Sequence, residues 1–270
     1  MFLRLIHNDT AITEGSPFTS DEVQYNLIHR ISEDPNSLCL KTPDEKMIFA
    51  QTAGHKGWLW ISNDIPSKER TSLINELINQ LAEVPLQGVT GDPKTARMFT
   101  EIFSNINNVQ YETDMTMEAY HCSKLIKPEG VKGEILKAKE QHVDVVADYL
   151  AGFMRDAFGT TVEPSSQQTR AATMIAGGGL YLWIVNGQPV AKANISHRSP
   201  RHARINAVFT PLQHRKNGYA SAIVAELCEI IESENRIPML YADVKNPDSN
   251  KVYQNLGFQK CGLIEEIKFL

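Results

Sequence analysis

Cysteine is sparse in this 270-residue chain. Cys39, Cys122, Cys228 and Cys261 lie far apart, and none belongs to a C-x-x-C pair. That spacing argues against a zinc site, and four cysteines in so long a chain build no disulfide framework. They read as buried free thiols, and no metal is expected. No apolar run approaches the ~20 residues that a membrane-crossing helix needs. Met1 to Glu14 lacks the basic segment and apolar core of a secretion signal, so a cytoplasmic protein is expected. Positive charge is short as well: 27 Lys and Arg stand against 32 Asp and Glu, a net charge of −5. That balance argues against nucleic acid or an anionic membrane as the partner. It is weakly compatible with a cationic amine.

Apolar residues make up 42% and charged residues 22%, as in globular proteins with a proper core. The length suggests two domains. The expected break is Lys124 to Gly133, where three lysines, Pro128 and two glycines occur without apolar periodicity. This gives a first domain over 1–123, a linker over 124–133 and a second domain over 134–270.

In the first part, strands are expected at Leu38–Leu40, Lys46–Thr52 and Gly57–Ser62. A helix follows, with Leu73, Ile74, Leu77, Ile78 and Leu81 on one stripe. A short strand comes next near Gly88–Thr90. Asp92 then caps a helix that has Pro93 at its first position, and a long strand covers Val109 to Cys122. Trp58 and Trp60 alternate with Leu59 and Ile61, so core packing is their default reading.

The second part reads as a strand at Glu134–Ala138 and helices at Glu140–Ala157 and Pro164–Ala176. Asn186-Gly187 fits a two-residue type I′ turn between Tyr181–Val185 and Gln188–Ser196. Arg204–Thr210 completes the meander. A long helix begins near Asn217. Strand Met239–Val244, helix Ser249–Leu256 and strand Phe258–Phe269 follow. The two parts end alike, in strand, helix with Pro at its start, strand, and Phe99 falls where Tyr253 falls. An ancient duplication is one reading of that likeness.

Two motifs carry chemistry. Arg215-Lys216-Asn217-Gly218-Tyr219-Ala220 is an R-x-x-G-x-A run between a strand and a helix that buries Ile223, Val224, Leu227, Ile230 and Ile231. The first amides of such a helix are unpaired and suit an anion, assisted by the helix dipole. Gly218 admits close backbone approach, and Arg215 and Lys216 add charge. A nucleotide pyrophosphate is the natural guest. The second motif is Asn246-Pro247-Asp248-Ser249-Asn250, followed by Tyr253 and by Gly257-Phe258. Helix punctuation accounts for Asn246, Pro247 and Gly257 without any function.

Together with the three-strand meander, these motifs resemble the GNAT N-acetyltransferase superfamily over Gly133–Leu270. The resemblance implies an α/β (α+β) fold with a mixed, mostly antiparallel central sheet flanked by helices. It implies acetyl-CoA as cosubstrate and an amine acceptor attacking the thioester directly. Backbone groups of Val208, Phe209 and Thr210 would meet the pantetheine arm and polarise the acetyl carbonyl. Amides from Lys216 to Ser221, through Asn217, Gly218, Tyr219 and Ala220, would hold the pyrophosphate. Asn246 and Asn250 match positions lining the cofactor, and Tyr253 matches the general acid that protonates the leaving thiolate.

One departure concerns the base. Many members carry a Glu on the strand before the turn, whereas Arg204-Ile205-Asn206-Ala207-Val208 has no acid. His197 and His202, expected in the loop before that strand, are candidate bases, and Glu163 is a further one. The first part has no R-x-x-G-x-A turn and is expected to be a degenerate relative or an accessory domain. A non-catalytic acyl-CoA sensor is the alternative reading, and protein lysine is an alternative acceptor. The acceptor's identity and the oligomeric state are not legible in the residues.

Overall fold

The computed structural model describes residues 2–15 and 17–270. Met1, where the expected first domain begins, lies outside them. The chain forms two compact units that are not contiguous in sequence. The first comprises the chain to Tyr120 together with Tyr241–Pro247 and Lys260–Leu270. The second comprises His121–Leu240 and Asp248–Gln259. This differs from the contiguous division expected above. The last strand pairs inside the first unit, and the stretch expected as a linker belongs to the second, where Ile126 N–H donates to the Leu256 carbonyl at 2.9 Å.

In the first unit, β1 (Leu3–Arg4), β2 (Leu38–Lys41), β3 (Met47–Gln51) and β4 (Gly57–Ile61) pair antiparallel in sequence order. Helix α1 (Thr10–Thr13), capped by the Asp9 carboxylate, precedes β2 together with α2 (Phe18–Asp21) and α3 (Leu27–Ser32). Helix α4 (Ser67–Gln80) crosses to β5 (Gly88–Gly91), which is parallel to β4. Helix α5 (Pro93–Asn107) leads to β6 (Tyr111–His121). Its cap is as expected: the Asp92 carboxylate accepts from the amides of Lys94 and Thr95.

Both faces of this sheet are covered, which explains the unbroken burial of β3 and β4. Ile48, Ala50, Trp58 and Trp60 pack in one core with Phe18, Tyr25 and Ile28. Met47, Phe49, Leu59 and Ile61 pack in another with Ile74, Leu77, Ala96 and Phe99. Both tryptophans are therefore core residues, and Trp60 also donates its indole N–H to Asp21 at 2.9 Å.

In the second unit, β7 (Glu134–Lys137), β8 (Leu180–Val185), β9 (Gln188–Arg198) and β10 (His202–Phe209) form an antiparallel meander. Asn186 and Gly187 turn β8 into β9 with φ of 50° and 74°, as a type I′ turn requires. Helices α6 (Val143–Phe158) and α7 (Gln168–Ala176) cover one face, with Val146, Leu150 and Ala171 packing in one core with Leu180 and Leu182 of β8. Helix α8 (Tyr219–Ser233) buries Ile223, Val224, Leu227, Cys228 and Ile231. It connects β10 to β11 (Ile237–Asp243), and those two strands pair parallel. Helix α9 (Pro247–Asn255) then precedes β12 (Gln259–Phe269), which pairs antiparallel with β5. Both units are thus mixed, mostly antiparallel sheets flanked by helices. Among the described residues no helix is long and apolar enough to cross a membrane.

Candidate active site

The site is organised by β10. It pairs with β11 only at its start, through His202↔Ile237, Ala203↔Pro238 and Arg204↔Met239. From Ile205 onward it keeps only β9, and that register slips twice, after Arg204 and between Asn206 and Phe209. At the second slip Ala207 has φ of 51°. A left-handed conformation at a non-glycine residue costs ~1–2 kcal/mol, so the surroundings must impose it.

Two side chains of β9 do so. Asn194 Nδ2 donates to Asn206 Oδ1 at 2.9 Å, and Lys192 Nζ donates to the Ala207 carbonyl oxygen at 3.0 Å. The bulge turns backbone groups of β10 out of the ladder.

Lys192 is fully buried. Its cross-strand neighbours are Leu182 and Phe209, and its Nζ sits 5.4 Å from the centre of the Phe153 ring. Burial, reinforced by the positive charge of Arg170, pushes its pKa down to about 7. In the sequence it is the one charged residue of Val190-Ala191-Lys192-Ala193-Asn194-Ile195, a signal that sequence reading passed over.

Beyond β10 the chain enters the basic turn. The Thr210 carbonyl accepts from Arg215 Nε at 3.0 Å, while the Thr210 hydroxyl is buried without a protein partner. Lys216 and Gly218 have φ of 64° and 80°. Gly218 precedes the first residue of α8, and no side chain caps the helix. A Cβ at Gly218 would sit 2.9 Å from Val131 Cγ2 in an already strained conformation, so glycine is required there. Asn217 folds back onto the carbonyls of His214 and Arg215 at 3.1 and 3.0 Å. The helix start is therefore uncapped, and such a start suits an anion. Arg215 pairs with Asp156 of α6, and Lys216 pairs with Asp248 at 2.9 Å, both of the latter side chains 79% exposed. So exposed a pair is weak and readily exchanged for another anion.

Beside the bulge is a cleft of about 290 Å³, lined by Asp148, Gly152 and Arg155 of α6, Glu163 of the α6–α7 connection, Phe209 and Leu212. Gly152 makes room for the aromatic wall, since a Cβ there would lie 2.6 Å from Phe209 Cζ. Tyr149 supports that wall at 5.7 Å between ring centres, and its hydroxyl is fixed on the Pro189 carbonyl at 2.6 Å.

Val208, Phe209, Thr210 and Arg215 to Ser221 thus form one continuous strand, turn and helix start. Asn250 and Tyr253 lie on α9, with the Tyr253 ring 8% exposed and set edge-on to Phe258 at 5.9 Å. Asn246 falls in the first unit, its N–H donating to the Asp243 carbonyl at 3.0 Å.

The histidines are corrected. His197 lies in β9 and His202 opens β10, both buried rather than in a solvated loop. His202 precedes Ala207 by five residues, roughly 16 Å along a strand. His197 pairs opposite Arg204, roughly 10 Å short of the bulge. Both stand nearer the start of β10 than its bulge. Glu163 does line the cleft, and Asp148 joins it there, a residue that the sequence reading did not single out.

Residues 181–267 match the family described as FR47-like protein. No curated protein matches the chain. Among solved structures, the chain is similar over its full length to a GNAT-family acetyltransferase from Colwellia psychrerythraea, with 12% identity, 98% of that chain covered and a TM-score of 0.56. It is similar over its full length to a GCN5-related N-acetyltransferase from Sphaerobacter thermophilus, with 11% identity, 95% of that chain covered and a TM-score of 0.60. A GCN5-related N-acetyltransferase from Kribbella flavida aligns with 92% of this chain and 93% of its own at 14% identity and a TM-score of 0.56. The chain has the fold of the GNAT acetyltransferases, and its C-terminal part carries the FR47-like match.

Proposed function

We propose that the second unit transfers an acetyl group from acetyl-CoA to an amine. The observation that carries this is the course of β10. It leaves β11 after Arg204, bulges at Ala207 and runs through the Lys216–Gly218 turn into an uncapped helix. A strand free on one side can pair with the amides of an extended pantetheine arm. The helix start suits the pyrophosphate. The buried, unpartnered Thr210 hydroxyl lies between the two and can bond the arm.

In this reading, groups of Val208, Phe209 and Thr210 take the arm and the thioester carbonyl, and amides from Lys216 to Ser221 take the phosphates. Asn250 lines the cofactor. The amine enters the cleft beside Phe209. Asp148 and Glu163 attract its ammonium form and accept its proton, directly or through water, before the neutral nitrogen attacks. Tyr253 returns a proton to the departing thiolate. The first unit is a degenerate copy without a cofactor site.

The test is thiol release from acetyl-CoA with a panel of small amines and lysine peptides. Turnover with one class identifies the acceptor. Tight acetyl-CoA binding with no turnover on any amine would reduce the protein to an acyl-CoA sensor. Absence of both would end the proposal.

A further inference from the structure

The bulge on β10 is held by a side chain with no place in the scheme above. Lys192 reaches the Ala207 carbonyl oxygen from β9 and is enclosed by Leu182, Phe209 and Phe153. No ion pair is formed by it among the described residues. A buried cation site without a carboxylate destabilises a fold, and an apolar residue of similar length would serve packing better. Its presence in this place calls for a use of its donor.

The bonded peptide is the one that matters. The Ala207 carbonyl and the Val208 N–H belong to the same planar amide. A donor on the oxygen of an amide draws electron density toward it and makes the N–H of that amide a stronger donor in turn. We propose that Lys192 is a positioning residue of the acyl site: its bond to the Ala207 oxygen fixes the bulge and polarises the Ala207–Val208 peptide, so that the Val208 N–H stabilises the oxyanion formed when the thioester carbonyl is attacked. The inference rests on the acetyl-CoA reading and adds the residue that tunes its oxyanion donor.

The arrangement has a pH signature. The ammonium form is the stronger donor, and the group changes charge near pH 7. Around it, β8 presents Leu182 and β10 presents Phe209. Helix α6 presents Phe153, with Asp148 and Arg155 farther out at the cleft, and α7 brings Arg170. Among these it is Arg170 whose charge acts on Lys192.

The test uses the whole protein, acetyl-CoA carrying a 13C label at the thioester carbonyl, and isotope-edited infrared spectroscopy without an acceptor. Bound to the wild type, the carbonyl band should lie below its position in free acetyl-CoA, and it should fall further as pH is lowered through about 7. In Lys192→Met the band should return toward the free position and lose its pH dependence. In turnover, Lys192→Met should keep acetyl-CoA affinity and lose roughly tenfold in kcat, a fraction of the 10²–10³ assigned to a whole oxyanion donor. Equal bands in wild type and variant, or a wild-type band that does not move with pH, would overturn the inference and leave the acetyl-CoA reading intact. If the variant fails to fold, the pH series on the wild type decides alone. Wild-type protein that binds no acetyl-CoA in calorimetry would sink that reading and this one together.

Discussion

Each unit contains a parallel pair of strands joined by a crossing helix, and the two crossings are built to opposite ends. In the first, β4 and β5 stay together: Trp58 pairs with Thr90, and a Cβ on Gly91 would sit only 2.6 Å from the Leu59 carbonyl oxygen. The turn into α4 has no positive-φ residue among the described residues from Ser62 to Pro66. It carries Asp64, paired with Lys46, and Glu69 follows in the first helical turn. Arg70, 2% exposed, closes the corner by donating to the Ser62 carbonyl and to Thr95 Oγ1, each at 2.8 Å. In the second crossing the strands part after Arg204, the turn carries Arg215 and Lys216, Gly218 leaves the helix start bare, and the buried cation is Lys192 behind the bulge. The same topology is used once as a closed corner and once as an open one. The difference lies in whether strand and helix ends satisfy each other or are left open.

The largest effect expected from breaking this contrast is chemical. Tyr253→Phe keeps the ring against Phe258 and removes the phenolic proton. If Tyr253 is the general acid, kcat should fall ~10²–10⁴-fold, with acetyl-CoA affinity retained. Thiol detection measures the turnover, and calorimetric titration the affinity. Unchanged turnover would leave Tyr253 a packing residue, as Phe99 is in the first unit.

The next largest concerns the helix starts. Ala220→Glu gives α8 an acid in its first turn, as Glu69 gives α4. A carboxylate there favours the helix dipole, so thermal stability should hold or rise. The same charge repels a phosphate, and acetyl-CoA affinity should drop on the order of 100-fold, the scale of one like-charge contact near the surface. Calorimetric titration with a melting curve separates the two effects. Retained affinity in the folded variant would move the pyrophosphate elsewhere.

The converse change is Arg70→Met in the first unit. It strands the Ser62 carbonyl and the Thr95 hydroxyl, both buried. The expected loss is about 3 kcal/mol of stability in urea unfolding. Acetyl-CoA affinity should not move if, as proposed, the first unit is a copy without a cofactor site. A loss of affinity without a loss of stability would mean that the first unit holds cofactor after all.

What was legible in the sequence was what neighbouring residues decide. Asp92-Pro93 announced α5, Asn186-Gly187 announced the β8–β9 turn, and the R-x-x-G-x-A run announced the helix start, because each sets backbone geometry within a few residues. Helices α1 to α3 escaped notice: four to six residues are too few to show a period. The partner of β12 was also hidden, since a strand's alternation does not say which unit it will join. Burial was not legible at two places. A histidine between strands reads as solvated, yet His197 and His202 are enclosed. A lysine reads as surface, yet Lys192 is under α6, because the residues that cover it are Phe153 and Phe209, distant in sequence.

The smallest effect is expected from trying to repair the first unit. Phe99 lies in α5 at the position that Tyr253 occupies in α9, so Phe99→Tyr restores the one side chain that the sequence comparison found missing. Phe99 is fully buried, stacked on Phe103 at 5.7 Å, in a core of apolar side chains. A hydroxyl added there meets little that can accept its proton, and the expected cost is about 1–3 kcal/mol of stability. No cofactor site should appear, since a general acid is useless where β4 and β5 remain closed and the α4 turn is acidic. Titration with acetyl-CoA should give one site per chain in the wild type and in Phe99→Tyr alike, with equal affinity. Two sites in the wild type would falsify the degenerate-copy reading. A second site only in the variant would mean that the closed corner opens more easily than its hydrogen bonds imply, and that a side chain rather than the backbone had silenced it.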